Sequence, residues 1–204
     1  MIVRLYEENP NPKHLKQVVE CINDGGVIIY PTDTIYALGC DIENRKGIER
    51  VAQIKGVKAE KSDFSFVFYD LSHISEYTKQ FNTSVFKLLK RNLPGPFTFI
   101  LEANNTIPKL FKNKKRTLGI RVPDNYICRS IVEKLTRPII STSIHDEDEI
   151  VEYTTDPELI YEKYQNQIDL MVDGGMGNNQ ASTVVDLTSG VPEIIRQGYG
   201  ELEY

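Results

Sequence analysis

Leu15-Lys-Gln-Val-Val-Glu-Cys-Ile22-Asn-Asp-Gly-Gly-Val27-Ile-Ile-Tyr30-Pro31 reads as a helix, a stop and a buried strand in one short run. Leu15, Val18, Val19 and Ile22 fall at i, i+3, i+4 and i+7, one face of a helix. Gly25 and Gly26 end it, because glycine tolerates the left-handed conformation past a helix end. Val27 to Tyr30 is apolar at every position, the pattern of a strand covered on both faces. Pro31 then stops the strand.

The same alternation extends outward. Ile48, Val51 and Ala52 outline a second helix closed by Gly56, and Phe64 to Tyr69 reads as a strand. Val85, Leu88 and Leu89 mark a helix, Thr98–Leu101 and Leu118–Val122 strands, and Ile127, Ile131 and Leu135 another helix. Pro138 to Ser143 is a strand with its exit, and Leu159 to Tyr164 is helical. Three strand-like runs follow closely: Ile168–Val172, Thr183–Leu187 and Glu193–Arg196. Parallel neighbours need long crossovers, so these last strands are expected to pair antiparallel. The pattern predicts a single α/β domain with a twisted, mixed parallel/antiparallel sheet flanked by helices. The tail after Gly198 is expected to be loosely held.

Composition narrows the function. The chain has 204 residues, 40% of them hydrophobic and 26% charged, which excludes disorder and a coiled coil. Mean hydropathy is -0.34, and no apolar run approaches the roughly 18–20 residues of a membrane span. The start lacks the basic-then-apolar pattern of a secretion signal, which predicts a cytoplasmic protein. Cys21, Cys40 and Cys128 stand far apart without a CxxC, and read as buried thiols. His14, His73 and His145 have no metal-ligand spacing, so no protein-built metal site is expected. Net charge is -5, unlike a globally basic nucleic-acid binder. The charge is uneven: Lys109 to Arg116 is a basic run and Asp146 to Glu149 an acidic one. Each is either a solvated surface or, for the basic run, a place to meet phosphates.

Residues that do chemistry tend to sit where a strand ends and the chain turns. Several exits here carry hydroxyl residues or an arginine: Thr32 to Thr34, Thr98, Thr117 to Arg121, Ser141 to Ser143, Ser182-Thr183 and Arg196. Arg121 and Arg196 stand in apolar strand patterns, where a guanidinium is costly unless paired. Each is either set on a solvent face, paired to a structural carboxylate, or a fork for an anionic ligand. No GxxxxGK[ST], GxGxxG or GxSxG is present. Asp173-Gly-Gly-Met-Gly177 is a glycine-rich turn. By themselves these residues predict a small anionic ligand rich in hydrogen-bonding groups, such as a nucleotide.

In sequence order, Pro31-Thr-Asp-Thr-Ile-Tyr-Ala-Leu-Gly39, Pro94-Gly-Pro-Phe-Thr98, Gly119-Ile-Arg-Val-Pro123, Ser141-Thr-Ser143, Ser182-Thr-Val-Val-Asp186 and Ile195-Arg-Gln-Gly198 resemble the motifs of the YrdC-like family. The first and fourth are most similar to its YciO branch. The resemblance implies one YrdC-like domain over residues 9–200, with a large concave, positively charged sheet face. It implies a threonylcarbamoyl-AMP synthase, which joins L-threonine, bicarbonate and ATP, with magnesium, and releases pyrophosphate. The product serves the modification of an adenosine in tRNA, and family members are linked to double-stranded RNA binding. By motif, Thr34, Arg121, Ser141 and Ser182 would bind threonine, and Lys55, Thr117, Ser143 and Arg196 would bind ATP. No nucleophile is implied, and none is needed: reaction at the α-phosphate asks for positioning and charge neutralisation.

Departures from the family pattern point the other way. Val57 stands where the Lys-x-Arg element has arginine, His145 where Ser-x-Asn has asparagine, and Phe66 at a position often polar in the threonine pocket. The loss of a charged donor to phosphate costs on the order of 1.5–3 kcal/mol. A relative that binds RNA or a nucleotide without the synthase reaction is therefore the second expectation, and a related reaction on another carbamoyl or adenylate compound the third.

Overall fold

The computed structural model describes residues 1–59, 62–107, 116–144 and 152–204. His145, the acidic run 146–149 and the basic run up to position 115 lie outside the described residues.

Among the described residues ten strands form one sheet: β1 (Ile2–Arg4), β2 (Ile28–Tyr30), β3 (Ala37–Asp41), β4 (Ser65–Val67), β5 (Phe97–Glu102), β6 (Thr117–Arg121), β7 (Ile139–Ser143), β8 (Leu170–Asp173), β9 (Thr183–Asp186) and β10 (Glu193–Arg196). Their order is β1-β8-β2-β3-β7-β4-β6-β5-β9-β10. The pairs β1–β8, β2–β8, β4–β6 and β5–β9 are parallel, and the others antiparallel. The expected mixed α/β sheet is what forms. Strands β9 and β10 pair antiparallel as expected. Strand β8 does not join them; it lies between β1 and β2 at the far side of the sheet. Its apolar run is buried between parallel neighbours, and closeness in sequence had no bearing on that.

The main helices are α1 (Pro12–Asn23), α2 (Arg45–Ile54), α3 (Thr83–Asn92), α4 (Tyr126–Leu135), α5 (Glu152–Thr155) and α6 (Pro157–Tyr164). Asn11, Asn44, Asn82, Asn125 and Asp156 each accept a backbone N–H at the start of α1, α2, α3, α4 and α6. Such caps satisfy donors that a helix start otherwise leaves unpaired. Among the described residues no helix is long and apolar enough to cross a membrane.

The helices cover the two sheet faces unequally, and this makes the site. One face is buried along nearly its whole width by α2, α3 and α6, over Ile29, Leu38, Phe66, Ile140, Ile120, Phe97, Phe99, Leu101 and Val185. On the opposite face α1 and α4 pack only over one end, against Val3, Ile28, Tyr30, Ala37, Ile139, Leu170 and Val172. Side chains alternate along a strand, so on β6, β5 and β9 that second face presents Thr117, Gly119, Arg121, Thr98, Ile100, Glu102, Val184 and Asp186. Among the described residues no helix covers them, and they floor an open trough.

The chain end is held more firmly than the sequence suggested. Thr183 Oγ1 donates to the Gly200 carbonyl at 2.6 Å, and Asn92 exchanges two hydrogen bonds with the Glu203 backbone at 2.7 and 2.9 Å. Leu202 packs on the core. The tail satisfies its backbone against α3 and β9.

Candidate functional site

The trough encloses a cavity of about 700 Å³. Seven of the eight expected contacts line it: Thr34, Arg121, Ser141, Ser182, Thr117, Ser143 and Arg196. Lys55 does not line it. Its ammonium donates to the Ser143 carbonyl at 2.8 Å and so braces the β7 exit from behind. Thr117 opens β6 and Arg121 closes it, which puts the two ends of the floor about 13 Å apart at roughly 3.3 Å per residue.

The end near Arg121 is a dense polar network. Arg121 Nη2 donates to Asp33 Oδ1 and to Thr34 Oγ1, both at 2.9 Å. The side chains of Arg121 and Asp33 are 8% and 7% exposed. Asp33 Oδ2 accepts the Asp124 backbone N–H at 2.9 Å. The Thr32 hydroxyl gives its hydrogen to the Ile35 carbonyl. Thr34, 3.1 Å away, therefore donates to Thr32 and offers Arg121 a lone pair. Burial raises the Asp33 carboxyl above its ordinary range, although Arg121 and the Asp124 N–H pull it down. Of the three settings the sequence left open, Arg121 has the paired one, with Asp33 as its carboxylate, and it also lies in the wall of the cavity. Its Nε is buried without a hydrogen-bond partner.

Across the floor, Ser182 Oγ and Thr98 Oγ1 lie 2.9 Å apart. The Ser182 carbonyl accepts Arg196 Nη2 at 2.8 Å, which ties the second arginine to the same hollow. The two guanidinium groups share one cavity, as expected, but the setting of Arg196 differs. All of β10 is exposed, with Ile194 and Ile195 41% and 55% exposed. Arg196 therefore stands on an exposed strand, not in a buried apolar one. Its place is set by a bulge: Ile194 pairs with Val185 and Arg196 with Val184, leaving Ile195 as an extra residue. Such a bulge at a sheet edge re-aims the side chains beside it.

Three further expectations differ from the structure. Phe66 is fully buried in the core, edge-on to Tyr77, and is absent from the cavity. On β4 it is Ser65 that faces the trough, because neighbours on a strand point to opposite faces. Val57 lies outside the cavity and is exposed. The expected positive face is also more mixed: Asp63, Glu102 and Asp186 line the cavity with Arg121 and Arg196. Thr98, Asp33 and Gly119 were given no ligand contact from sequence, although all three lie inside the quoted motifs. A Cβ on Gly119 would meet Ser65 Oγ and Thr98 Cγ2, both at 3.2 Å, so the bare backbone there keeps the floor flat.

A family model, Sua5/yciO/yrdC, described as telomere recombination, matches residues 20–198. The chain is 38% identical over 201 residues to YciO of Escherichia coli K12, covering 98% of this chain and 96% of that protein. The chain belongs to the Sua5/YciO/YrdC family. An uncharacterized protein of Haemophilus influenzae is 41% identical over 199 residues, covering 96% and 94% of the two chains. The crystal structure of E. coli YciO superposes with a TM-score of 0.90 at 37% identity, over 98% of this chain and 97% of that one. P. abyssi Sua5, crystallised with L-threonine, has a TM-score of 0.86 at 24% identity, covering 97% of this chain and 57% of Sua5. At that identity the Sua5 likeness speaks to the fold alone. The mixed sheet with its one-sided trough is thus the Sua5/YciO/YrdC fold.

Proposed function

We propose that this Sua5/YciO/YrdC chain makes threonylcarbamoyl-AMP from L-threonine, bicarbonate and ATP. The observation that carries the reading is the cavity itself, which brings Thr34, Arg121, Ser141 and Ser182 together with Thr117, Ser143 and Arg196. Threonine would lie at the Arg121 end, with its carboxylate on the guanidinium and its polar groups among the Ser141 and Ser182 hydroxyls. The nucleotide would extend along the floor toward Thr117, with Arg196 and Ser143 at its phosphates. The threonine amine adds to bicarbonate and water leaves, giving a carbamate. A carbamate oxygen then attacks the α-phosphorus, and the bond to the β-phosphate oxygen breaks to release pyrophosphate. The protein's part is to align the two partners and offset developing charge with fixed donors. Magnesium enters as part of the nucleotide.

The test is release of pyrophosphate that requires threonine, bicarbonate and Mg·ATP together. No release above a no-protein control, where a known synthase works, would overturn the reading. A second reading has its own support: the family's Lys-x-Arg element is incomplete here, with Val57 exposed and outside the cavity, and the high-identity relatives include YciO proteins. On that reading the trough binds a nucleotide or RNA without turnover. Calorimetry separates the two: binding of Mg·ATP without pyrophosphate release in the presence of threonine and bicarbonate would favour this second reading.

A further inference from the structure

We infer that Asp33 is a positioning residue, which fixes Arg121 by one nitrogen so that its remaining donors stay available to the carboxylate of a bound amino acid. The inference rests on the threonine end proposed above and adds a residue that binding motifs alone would not single out.

The hydrogen count makes the case. A guanidinium has five N–H donors. Both hydrogens of Arg121 Nη2 are engaged, one by Asp33 Oδ1 and one by Thr34 Oγ1. Nε is buried and unpartnered, a costly state unless a ligand completes it. Asp33 cannot drift toward Nε, because its other oxygen holds the Asp124 N–H. That bond also clamps the loop after β2 to the loop after β6. In the sheet β3, β7 and β4 stand between those two strands, so no ladder contact would hold the loops together. Stability alone is a poor reason for such a pair, since an apolar pair of similar volume serves folding as well or better. What the carboxylate adds is orientation: a planar fork held at one corner presents its other donors in a fixed plane.

Asp33→Asn and Asp33→Glu test this in the full chain, with circular dichroism confirming the fold. In Asp33→Asn, the KM for threonine should rise about 10-fold or more, with the KM for ATP within about 2-fold. Asp33→Glu should restore part of the loss. A merely structural carboxylate would move both KM values together with the melting temperature. The second readout is independent of turnover: the ¹⁵N–¹H signal of Arg121 Nε, assigned by its loss in Arg121→Lys. In wild type it should shift when L-threonine is added, and in Asp33→Asn it should shift or broaden without ligand. A wild type that releases no pyrophosphate would sink the synthase reading and leave this signal to decide on Asp33. An Nε signal identical in wild type and folded Asp33→Asn would overturn the inference, whatever the activity.

Discussion

Replacing Arg121 by methionine removes the cation from a pair whose side chains are 8% and 7% exposed. Asp33 would then keep its carboxylate in a buried place with only the Asp124 N–H to hold it. Breaking a buried pair in this way costs about 3–5 kcal/mol. At about 2–4 °C per kcal/mol for a chain of this size, the melting temperature should fall by about 6–20 °C. The loss should depend on pH with a definite sign. The folded-state carboxyl of Asp33 already lies above its ordinary value, because burial outweighs the pull of Arg121, while Asp124 nearby adds to the rise. Without Arg121 it rises further. The unfolded chain then gives up this proton at lower pH than the folded one, so stability falls as pH climbs through that window. Urea unfolding at about pH 4.5 and pH 7.5 should therefore show a larger loss at pH 7.5, the charged groups facing Asp33 being Arg121 and Asp124. The double variant Asp33→Asn/Arg121→Met should recover most of it, since no buried charge is left. A single variant losing less than about 1 kcal/mol at pH 7.5, or a double variant no better than the single, would refute the buried-pair reasoning.

Arg196→Ala should weaken Mg·ATP binding by calorimetry about 10- to 150-fold, the worth of a charge-assisted bond of about 1.5–3 kcal/mol. It should barely change stability, because the strand is exposed; unchanged affinity would remove Arg196 from the site. Gly119→Val puts a branched side chain against Ser65 and Thr98 on the cavity floor and should reduce binding of both ligands while the sheet still forms. Gly119→Ala should do less, and full affinity in the valine variant would place the ligand elsewhere. Burial pushes the Cys40 and Cys128 thiols up, and takes Cys21 up to about 11, with Asp169 adding to the effect. Because the thiolate is the reactive form, a disulfide reagent at pH 8 should find Cys40 and Cys128 silent and Cys21 slow, and all of them reactive in urea. Rapid native reaction at Cys128 would contradict its burial on the inner face of α4.

Local patterns were legible where one face of an element is apolar over several residues. Helix α1 and strand β2 appear within three residues of their expected places, and so do α4 and β7. Strand β1 was missed because Ile2–Arg4 is too short to show a period, and β3 because Ala37 and Gly39 carry no β-branched signal. Phe66 was assigned to the pocket from a motif position, although its neighbour Ser65 has the opposite facing. Arg196 was placed among apolar neighbours because Ile194 and Ile195 precede it, whereas those side chains are exposed on an edge strand.

From its residues alone this chain specifies a mixed α/β sheet, the strand exits that gather hydroxyls and arginines, and the family that shares them. Each of these depends on spacing within a few residues, where the periods of helix and strand act directly. Tertiary structure decides the cavity. That α1 and α4 shield only one end of a sheet face, that a bulge turns Arg196 inward, and that Asp33 reaches Arg121 across three intervening strands all depend on contacts between distant parts of the chain. An alternating pattern says which side chains share a face; only packing says whether anything covers that face.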